Sequence, residues 1–297
     1  MTRKKYFIAL LLILAAASAV FAGGTSSTPC KTKYPVVLSH GMGAQYEIAW
    51  GITHYWNNIP DRLRDNGASV YITSVNALDG TVAKAESWKR QVLDILAVSG
   101  AQKINLIGHS HGCIYSRYAI SNLGMAGKVA SHTSIAGPHR GSSIAELVLA
   151  VCNKVPVASD VLEVMTKILM GDTNPDAVQN LKDLTRSYMT GVFNPNTPDA
   201  SGIYYQSYAY RIKSVLGAGL FLATWPIQKG IEGDNDGLVA VTSAKWGNFR
   251  GLYEGASWLG AGVNHLACVD MLFGITPGFD APAHFVDIVK DLKSRGY

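Results

Sequence analysis

The stretch that most restricts the possible folds runs from Lys103 to Ser116 and reads KINLIGHSHGCIYS. Its first half is an apolar run that predicts a buried strand, and its second half can continue as a helix. Between them, Gly108 and Gly112 flank Ser110 at a spacing that suits a tight strand-to-helix turn, because a Cβ atom at either glycine would clash there. A plain glycine-rich turn is the alternative. The flanking strand and helix favour a strained turn that exposes Ser110 as a nucleophile beside free helical N–H groups.

The chain around this stretch alternates strands with helices. Strands are predicted at 35–39, 69–73, 103–109, 129–136, 202–212 and 238–241. Helices are predicted at 50–66, 82–99, from the turn to 123, and 282–293. Such alternation with short connections predicts an α/β fold with a mostly parallel central sheet flanked by helices. We therefore expect residues 23–297 to form a single domain.

The alternation stops after residue 142. Residues 144–170 are mainly apolar and prone to form helices, with an interruption at Pro156, and a polar stretch follows. An apolar helical insertion after a core strand predicts a lid over the active site, at about residues 143–190. A helical pair that belongs to the core is the alternative.

The amino terminus is typical of a secretory signal peptide. A basic segment at residues 2–5 precedes an apolar run from Tyr6 to Phe21, and small side chains precede a cleavage position after Ala22. An uncleaved membrane anchor is the alternative, but the run is short for a full span. We therefore expect residues 1–22 to be removed and the protein to be secreted.

Charge excludes one class of partner. The net charge is +5, and it falls to +2 without residues 1–22, which contain three basic residues and no acidic one. This small and evenly spread charge does not suit nucleic acid. Four cysteines in an exported chain predict disulfides, with the pairing left open; they are Cys30, Cys113, Cys152 and Cys268. The chain has no Cys-x-x-Cys sequence, so a zinc site is not indicated.

A serine nucleophile on such a turn is followed along the chain by an acid and then by a histidine. His265 lies on a late loop and is favoured over His284, which lies in an amphipathic helix. Asp236, in a tight turn before an apolar segment, is favoured as the acid over Asp234 and Glu254.

The oxyanion hole has two candidate donors. The first strand ends in His40-Gly41-Met42-Gly43, where flexible glycines would let the backbone N–H of Met42 face the serine. The second donor is the N–H of His111, directly after Ser110.

Five segments, taken together and in this order, resemble the secreted bacterial triacylglycerol lipases of the Pseudomonas and Burkholderia type, which have the α/β-hydrolase fold. They read KYPVVLSHGM (33–42), NLIGHSHG (105–112), GPHRGS (137–142), NDGLV (235–239) and NHL (264–266). The resemblance implies that the protein hydrolyses long-chain acylglycerols and that it binds this lipid substrate at an oil–water interface. It also implies Ser110, Asp236 and His265 as the triad, Met42 and His111 as the oxyanion hole, and a dedicated folding chaperone as a partner, as in many relatives.

The chain departs from these lipases at their structural calcium site. The family's calcium ligands near the catalytic histidine correspond to Ala267 and Met271, which offer no side-chain oxygen. We therefore expect that metal to be lost and no cofactor to be needed. A Cys113–Cys268 disulfide is a hypothesis for what replaces it. Two further readings stay open: an esterase for short acyl chains or a polyester depolymerase, and a non-catalytic binding protein on the same fold.

Overall fold

The computed structural model describes residues 28–42, 47–48, 53–154, 176–255, 260–271 and 276–297. The strands lie at Val36–Ser39 (β1), Glu47–Ile48 (β2), Thr53–His54 (β3), Val70–Thr73 (β4), Ile104–His109 (β5), Val129–Ile135 (β6), Tyr204–Tyr210 (β7) and Asn248–Tyr253 (β8). The α-helices lie at Ile59–Asp65 (α1), Thr81–Ser99 (α2), His111–Asn122 (α3), Ser143–Lys154 (α4), Ala177–Asp183 (α5), Arg186–Tyr188 (α6), Asn194–Asn196 (α7), Val215–Ala218 (α8), Thr224–Glu232 (α9), Val241–Ala244 (α10) and Ala281–Ser294 (α11).

Six strands form one sheet in the order β4-β1-β5-β6-β7-β8, and every neighbouring pair is parallel. Strands β2 and β3 form a separate antiparallel pair. The carboxyl ends of the parallel strands therefore meet at one edge, which is where open α/β sheets place their sites. The predicted α/β fold with a mostly parallel sheet is confirmed.

The sheet is covered on both faces, as a parallel sheet requires. Alternate residues of β1 point to opposite sides: Val36 and Leu38 belong to one apolar cluster and Val37 to the other. The first cluster contains Trp56 and Phe285 and buries α1 and α11. The second contains Trp88 and buries α2 and α3. These two layers hold β5, every residue of which is buried, in the middle of the domain.

Two predictions of secondary structure are wrong in extent or type, and one strand of the sheet has no predicted counterpart. The helix expected at 50–66 begins only at Ile59, because Thr53–His54 pairs with β2 and Pro60 favours the first helical turn. The strand expected at 238–241 is absent, since Ala240 makes only an isolated bridge with Asn235 and α10 begins at Val241. The edge strand is β8 instead, whose exposed and partly buried residues give little apolar signal.

Two predictions lie wholly or partly outside the described residues. The predicted signal peptide, residues 1–22, is one of them. Of the predicted lid at 143–190, helices α4, α5 and α6 are described, together with the start of a short π-helix at Met189–Phe193, whereas 155–175 are not. In the part of the chain that is described, no helix combines the length and the apolar character that crossing a membrane demands.

The predicted disulfides are wrong in this structure: all four cysteines are free and buried. The Cys113 thiol donates to the carbonyl of Gly108 at 3.1 Å, and the Cys268 thiol lies 3.1 Å from the carbonyl of His265. Each sulfur is thus held by its own turn rather than by the other cysteine. Burial raises the pKa of the Cys113 thiol to about 12, so it stays protonated and unreactive at neutral pH.

Candidate active site

Ser110 lies at the turn between β5 and α3, where its backbone has φ 54° and ψ −127°. L-residues rarely adopt these angles, and strain of this kind marks functional turns. The turn is tight: a Cβ atom on Gly112 would lie 2.2 Å from the carbonyl oxygen of Ser39. The Ser110 N–H donates to the carbonyl of Ile135 at 3.0 Å, which ties the turn to β6. The sequence prediction of a strained strand-to-helix turn at Ser110 matches this geometry.

The loop after β1 passes directly over Ser110. A Cβ atom on Gly41 would lie 2.7 Å from the Cβ of Ser110, so only glycine allows this approach. The His40 ring fixes the loop, because its Nε2 accepts from Val75 N–H at 3.0 Å and its Nδ1 donates to Gly41 O at 2.9 Å. Met42, the first predicted oxyanion donor, comes next and packs against an apolar cluster that includes α3 residues. Gly43 lies outside the described residues.

Asp236 and His265 are brought together from two loops. Asp236 Oδ2 lies 2.8 Å from His265 Nδ1, and both residues are buried. Asp236 Oδ1 accepts the backbone N–H groups of Leu238 and Val239 at 3.0 and 2.8 Å, and its carbonyl accepts the His265 N–H at 2.9 Å. These bonds fix the orientation of the carboxylate. The arrangement places the His265 proton on Nδ1 and leaves Nε2 free to accept one.

His265 faces the turn that carries Ser110. Its ring lies 4.6 Å, centre to centre, from the ring of His109, the residue before Ser110, and the edge of Phe221 packs on it. Both Ser110 and His265 are described residues, and no hydrogen bond within 3.5 Å joins their side chains. A hydrogen bond between a nucleophile and its base is often long until substrate binds and then shortens.

The rival candidates have other partners. Asp234 and Glu254 both pair with Arg211, whose Nη1 lies 2.5 Å from Asp234 Oδ2. His284 is buried in α11, and its Nε2 lies 2.9 Å from the Tyr210 hydroxyl. Neither acid reaches His265, and His284 lies within an aromatic cluster.

His109 links the two halves of the site. The Tyr55 hydroxyl accepts the Gly41 N–H at 2.9 Å and hydrogen bonds to His109 Nδ1, and His109 Nε2 lies 3.3 Å from the Cys268 sulfur. Burial and the neighbouring His265 hold the pKa of His109 well below its usual value, so its ring is neutral. This series of contacts, from the Gly41 N–H through Tyr55 and His109 to the Cys268 sulfur, connects the loop after β1 to the loop of His265. No local sequence pattern predicts that Tyr55 contacts both Gly41 and His109.

The positions that bind calcium in the family do not suit a metal here. The side chain of Ala267 is buried and has no oxygen, and Met271 packs against the core. Within the described ranges, no group of three or more metal-binding side chains occurs. The nearby Asp270 carboxylate instead accepts from Asn57 Nδ2, from Asn58 Nδ2 and from the Asn58 backbone N–H, at 3.0–3.1 Å. Sequence reasoning missed this anchor, since its partners lie far apart in the chain.

We expect the protein to lose stability in acid between pH 6.5 and about 4. Burial lowers the pKa of His40 and of His284 to about 4, from 6.5 in the unfolded chain. Between these two pKa values, each of the two histidines is protonated in the unfolded chain but neutral in the native state. The free energy of unfolding therefore decreases as pH falls, by about 3 kcal/mol for each histidine. Urea denaturation from pH 7 to 4.5 measures this. H284Q should make the free energy of unfolding depend less steeply on pH. An unchanged slope would contradict the role given to His284.

Known proteins with similar sequences are lipases and thioesterases. The chain is 33% identical over 305 residues to a triacylglycerol lipase of Vibrio cholerae, covering 92% of this chain and 93% of that one. It is 34% identical over 200 residues to a triacylglycerol lipase of Burkholderia plantarii, covering 64% of this chain and 54% of that one. The sequence model of the palmitoyl protein thioesterase family matches residues 35–223.

Solved structures show the same fold. Mature Bacillus licheniformis lipase BlEst2 superposes with a TM-score of 0.63 at 19% identity, over 87% of this chain and 92% of that one. The metagenomic carboxyl esterase MGS0156 superposes with a TM-score of 0.68 at 16% identity, over 92% of this chain and 77% of that one.

Proposed function

Since this chain belongs to the triacylglycerol lipase family of α/β-hydrolases and is a carboxylic ester hydrolase, we propose that it cleaves acylglycerols through a Ser110–His265–Asp236 triad. The observation that carries the proposal is the buried Asp236–His265 pair facing the strained turn of Ser110. A serine, a histidine and an oriented carboxylate are the parts that nucleophilic ester hydrolysis requires. A non-catalytic role would give no reason to keep Ser110 on so strained a turn.

The mechanism follows from these positions. Ser110 Oγ attacks the ester carbonyl carbon while its proton passes to His265 Nε2, and Asp236 stabilises the imidazolium. The backbone N–H groups of Met42 and His111 stabilise the oxyanion. Collapse of the tetrahedral intermediate breaks the ester C–O bond, and the leaving alcohol takes the proton from His265. Water then attacks the acyl-enzyme by the same steps and releases the fatty acid.

Apolar side chains beside His265 favour long acyl chains. Phe221 packs on the imidazole, and the segment around it exposes Val215, Leu216, Leu220 and Leu222 to solvent. Exposed apolar side chains that cluster in this way mark a contact surface. These side chains support binding of the protein to its substrate at an oil–water interface. Secretion, after cleavage near Ala22, and help from a folding chaperone are part of the same proposal.

The test is the hydrolysis rate against acyl chain length, from acetyl to oleoyl, on soluble and emulsified esters with and without EDTA. We expect the highest rates on emulsified long-chain triacylglycerols, unchanged by EDTA. L220S should slow this reaction while it leaves soluble acetyl ester hydrolysis unchanged. V98S is the matched control, because Val98 is equally exposed near the end of α2, at the opposite edge of the sheet. A preference for short soluble esters would make the protein an esterase.

Acyl thioesters are a second candidate substrate, favoured by the match to the palmitoyl protein thioesterase family over residues 35–223. The same triad would serve, since only the leaving group changes from an alcohol to a thiol. Palmitoyl thioesters belong in the substrate series, and a rate above that of the matched oxygen ester would favour this reading.

A further inference from the structure

A lysine lies fully buried behind the candidate oxyanion hole. The Lys84 side chain, on α2, is excluded from solvent. Its Nζ donates to the carbonyl of Ala77 at 2.9 Å and lies 3.3 Å from Nδ1 of His111. Burying an ammonium group is costly unless it is hydrogen-bonded, so such a group is rarely kept without a purpose. Its partner His111 is the residue directly after Ser110.

The His111 imidazole is fixed at both ring nitrogens. Burial and the Lys84 charge hold the pKa of His111 well below its usual value, so the ring is neutral and has one donor and one acceptor. Because Lys84 can only donate, Nδ1 is the acceptor. Nε2 therefore carries the proton and donates to Thr81 Oγ1 at 2.9 Å. Lys84 and Thr81 are one helical turn apart, so a single rigid helix sets the ring's position.

Helix α5 in turn fixes the start of α2. Asp183 Oδ2 accepts the Thr81 N–H at 2.6 Å, and the Asn180 amide donates to the carbonyl of Asp79 at 2.6 Å. The same amide nitrogen lies 3.5 Å from His111 Nδ1. The His111 side chain is thus held by two helices, although the proposed mechanism uses only its backbone N–H.

We propose that Lys84 is a positioning residue, which holds the His111 imidazole and thereby aims the His111 backbone N–H at the oxyanion. This inference rests on the proposed function. An imidazole fixed at both nitrogens leaves its Cα little freedom to rotate, so the adjacent N–H keeps its direction. Small displacements of a catalytic group have large effects on rate, and an oxyanion donor acts only on charge that develops in the transition state.

The test is K84M, which removes the charge and keeps the volume, with K89M on the same helix as the matched control. Complete removal of an oxyanion donor costs about 100- to 1,000-fold in kcat, so we expect displacement of one to cost about 10- to 100-fold. KM for a soluble ester should stay unchanged. The affinity for a trifluoromethyl ketone, whose adduct with Ser110 carries an oxyanion, should fall in parallel with kcat/KM. A purely structural role for Lys84 would not link these two quantities.

Two further variants keep the inference falsifiable. T81V removes the other bond to the ring and should lower kcat in the same direction, which carries the test if K84M does not fold. Adding K84M to H111L should cost no further activity, because both act through the same ring. If S110A is inactive while K84M and T81V behave like K89M, the inference fails and the proposed function stands. If S110A is active, the proposed function itself is contradicted, whatever the result for Lys84.

Discussion

S110A is expected to lower kcat for ester hydrolysis by roughly 10⁵- to 10⁶-fold, the effect of removing a serine nucleophile from a comparable triad. Alanine keeps the Cβ atom and the turn geometry, so the loss should come with little change in stability. S121A, on the helix that follows Ser110, is the matched control, because Ser121 lies near the far end of α3. An active S110A would show that another residue is the nucleophile.

A covalent probe makes the assignment independent of turnover. A fluorophosphonate should label one residue for each chain, and peptide mapping should place the label on Ser110. S110A should not be labelled, whereas S121A should be labelled fully. Label on any other residue would contradict the assignment.

The turn allows a second measurement on the same position. Ser110 has φ 54° and ψ −127°, a conformation that glycine adopts without strain. S110G should therefore raise the free energy of unfolding by about 1–3 kcal/mol relative to S110A, while both remain inactive. Urea denaturation measures the difference. Gain of stability with loss of activity identifies a position where the fold is strained to present a functional group.

The parts of the site that could be predicted depend on short stretches of chain. The turn at Ser110 requires residues without a Cβ atom at positions 108 and 112, and both are glycine. This turn can therefore be recognised from five consecutive residues. The turn at Asp236 is also local, because its side chain accepts backbone N–H groups two and three residues ahead. The family resemblance drawn from five such stretches is confirmed by the relatives.

The parts that could not be predicted depend on contacts between distant segments. Asp270 reaches Asn57 and Asn58 more than 200 residues away, and Lys84 reaches His111 across 27 residues. Periodicity also fails at the sheet edge, because β8 is partly exposed and polar and therefore lacks an apolar run. The expected Cys113–Cys268 bridge is wrong for a related reason: spacing from catalytic residues does not fix where a side chain points.

D236N is expected to lower kcat by about 10⁴-fold, the effect of the same change in a comparable triad. Asparagine preserves Oδ1, which accepts two backbone N–H groups, so the loop should stay folded. At the other position an NH₂ group would face His265 Nδ1 and donate to it. The imidazole would then carry its proton on Nε2, where it could no longer accept the proton of Ser110.

D234N is the matched control, two residues earlier in the same turn. Asp234 pairs with Arg211 at the surface, and exposed ion pairs contribute about 1 kcal/mol or less, so activity should change less than a few-fold. Thermal melting should separate loss of catalysis from loss of folding in both variants. In the wild type, a low-field NMR signal from the His265 Nδ1 proton should report the bond to Asp236, and D236N should lose it. If D234N were inactive and D236N active, the acid of the triad would be the earlier aspartate, and the 2.8 Å contact between Asp236 and His265 would serve the fold alone.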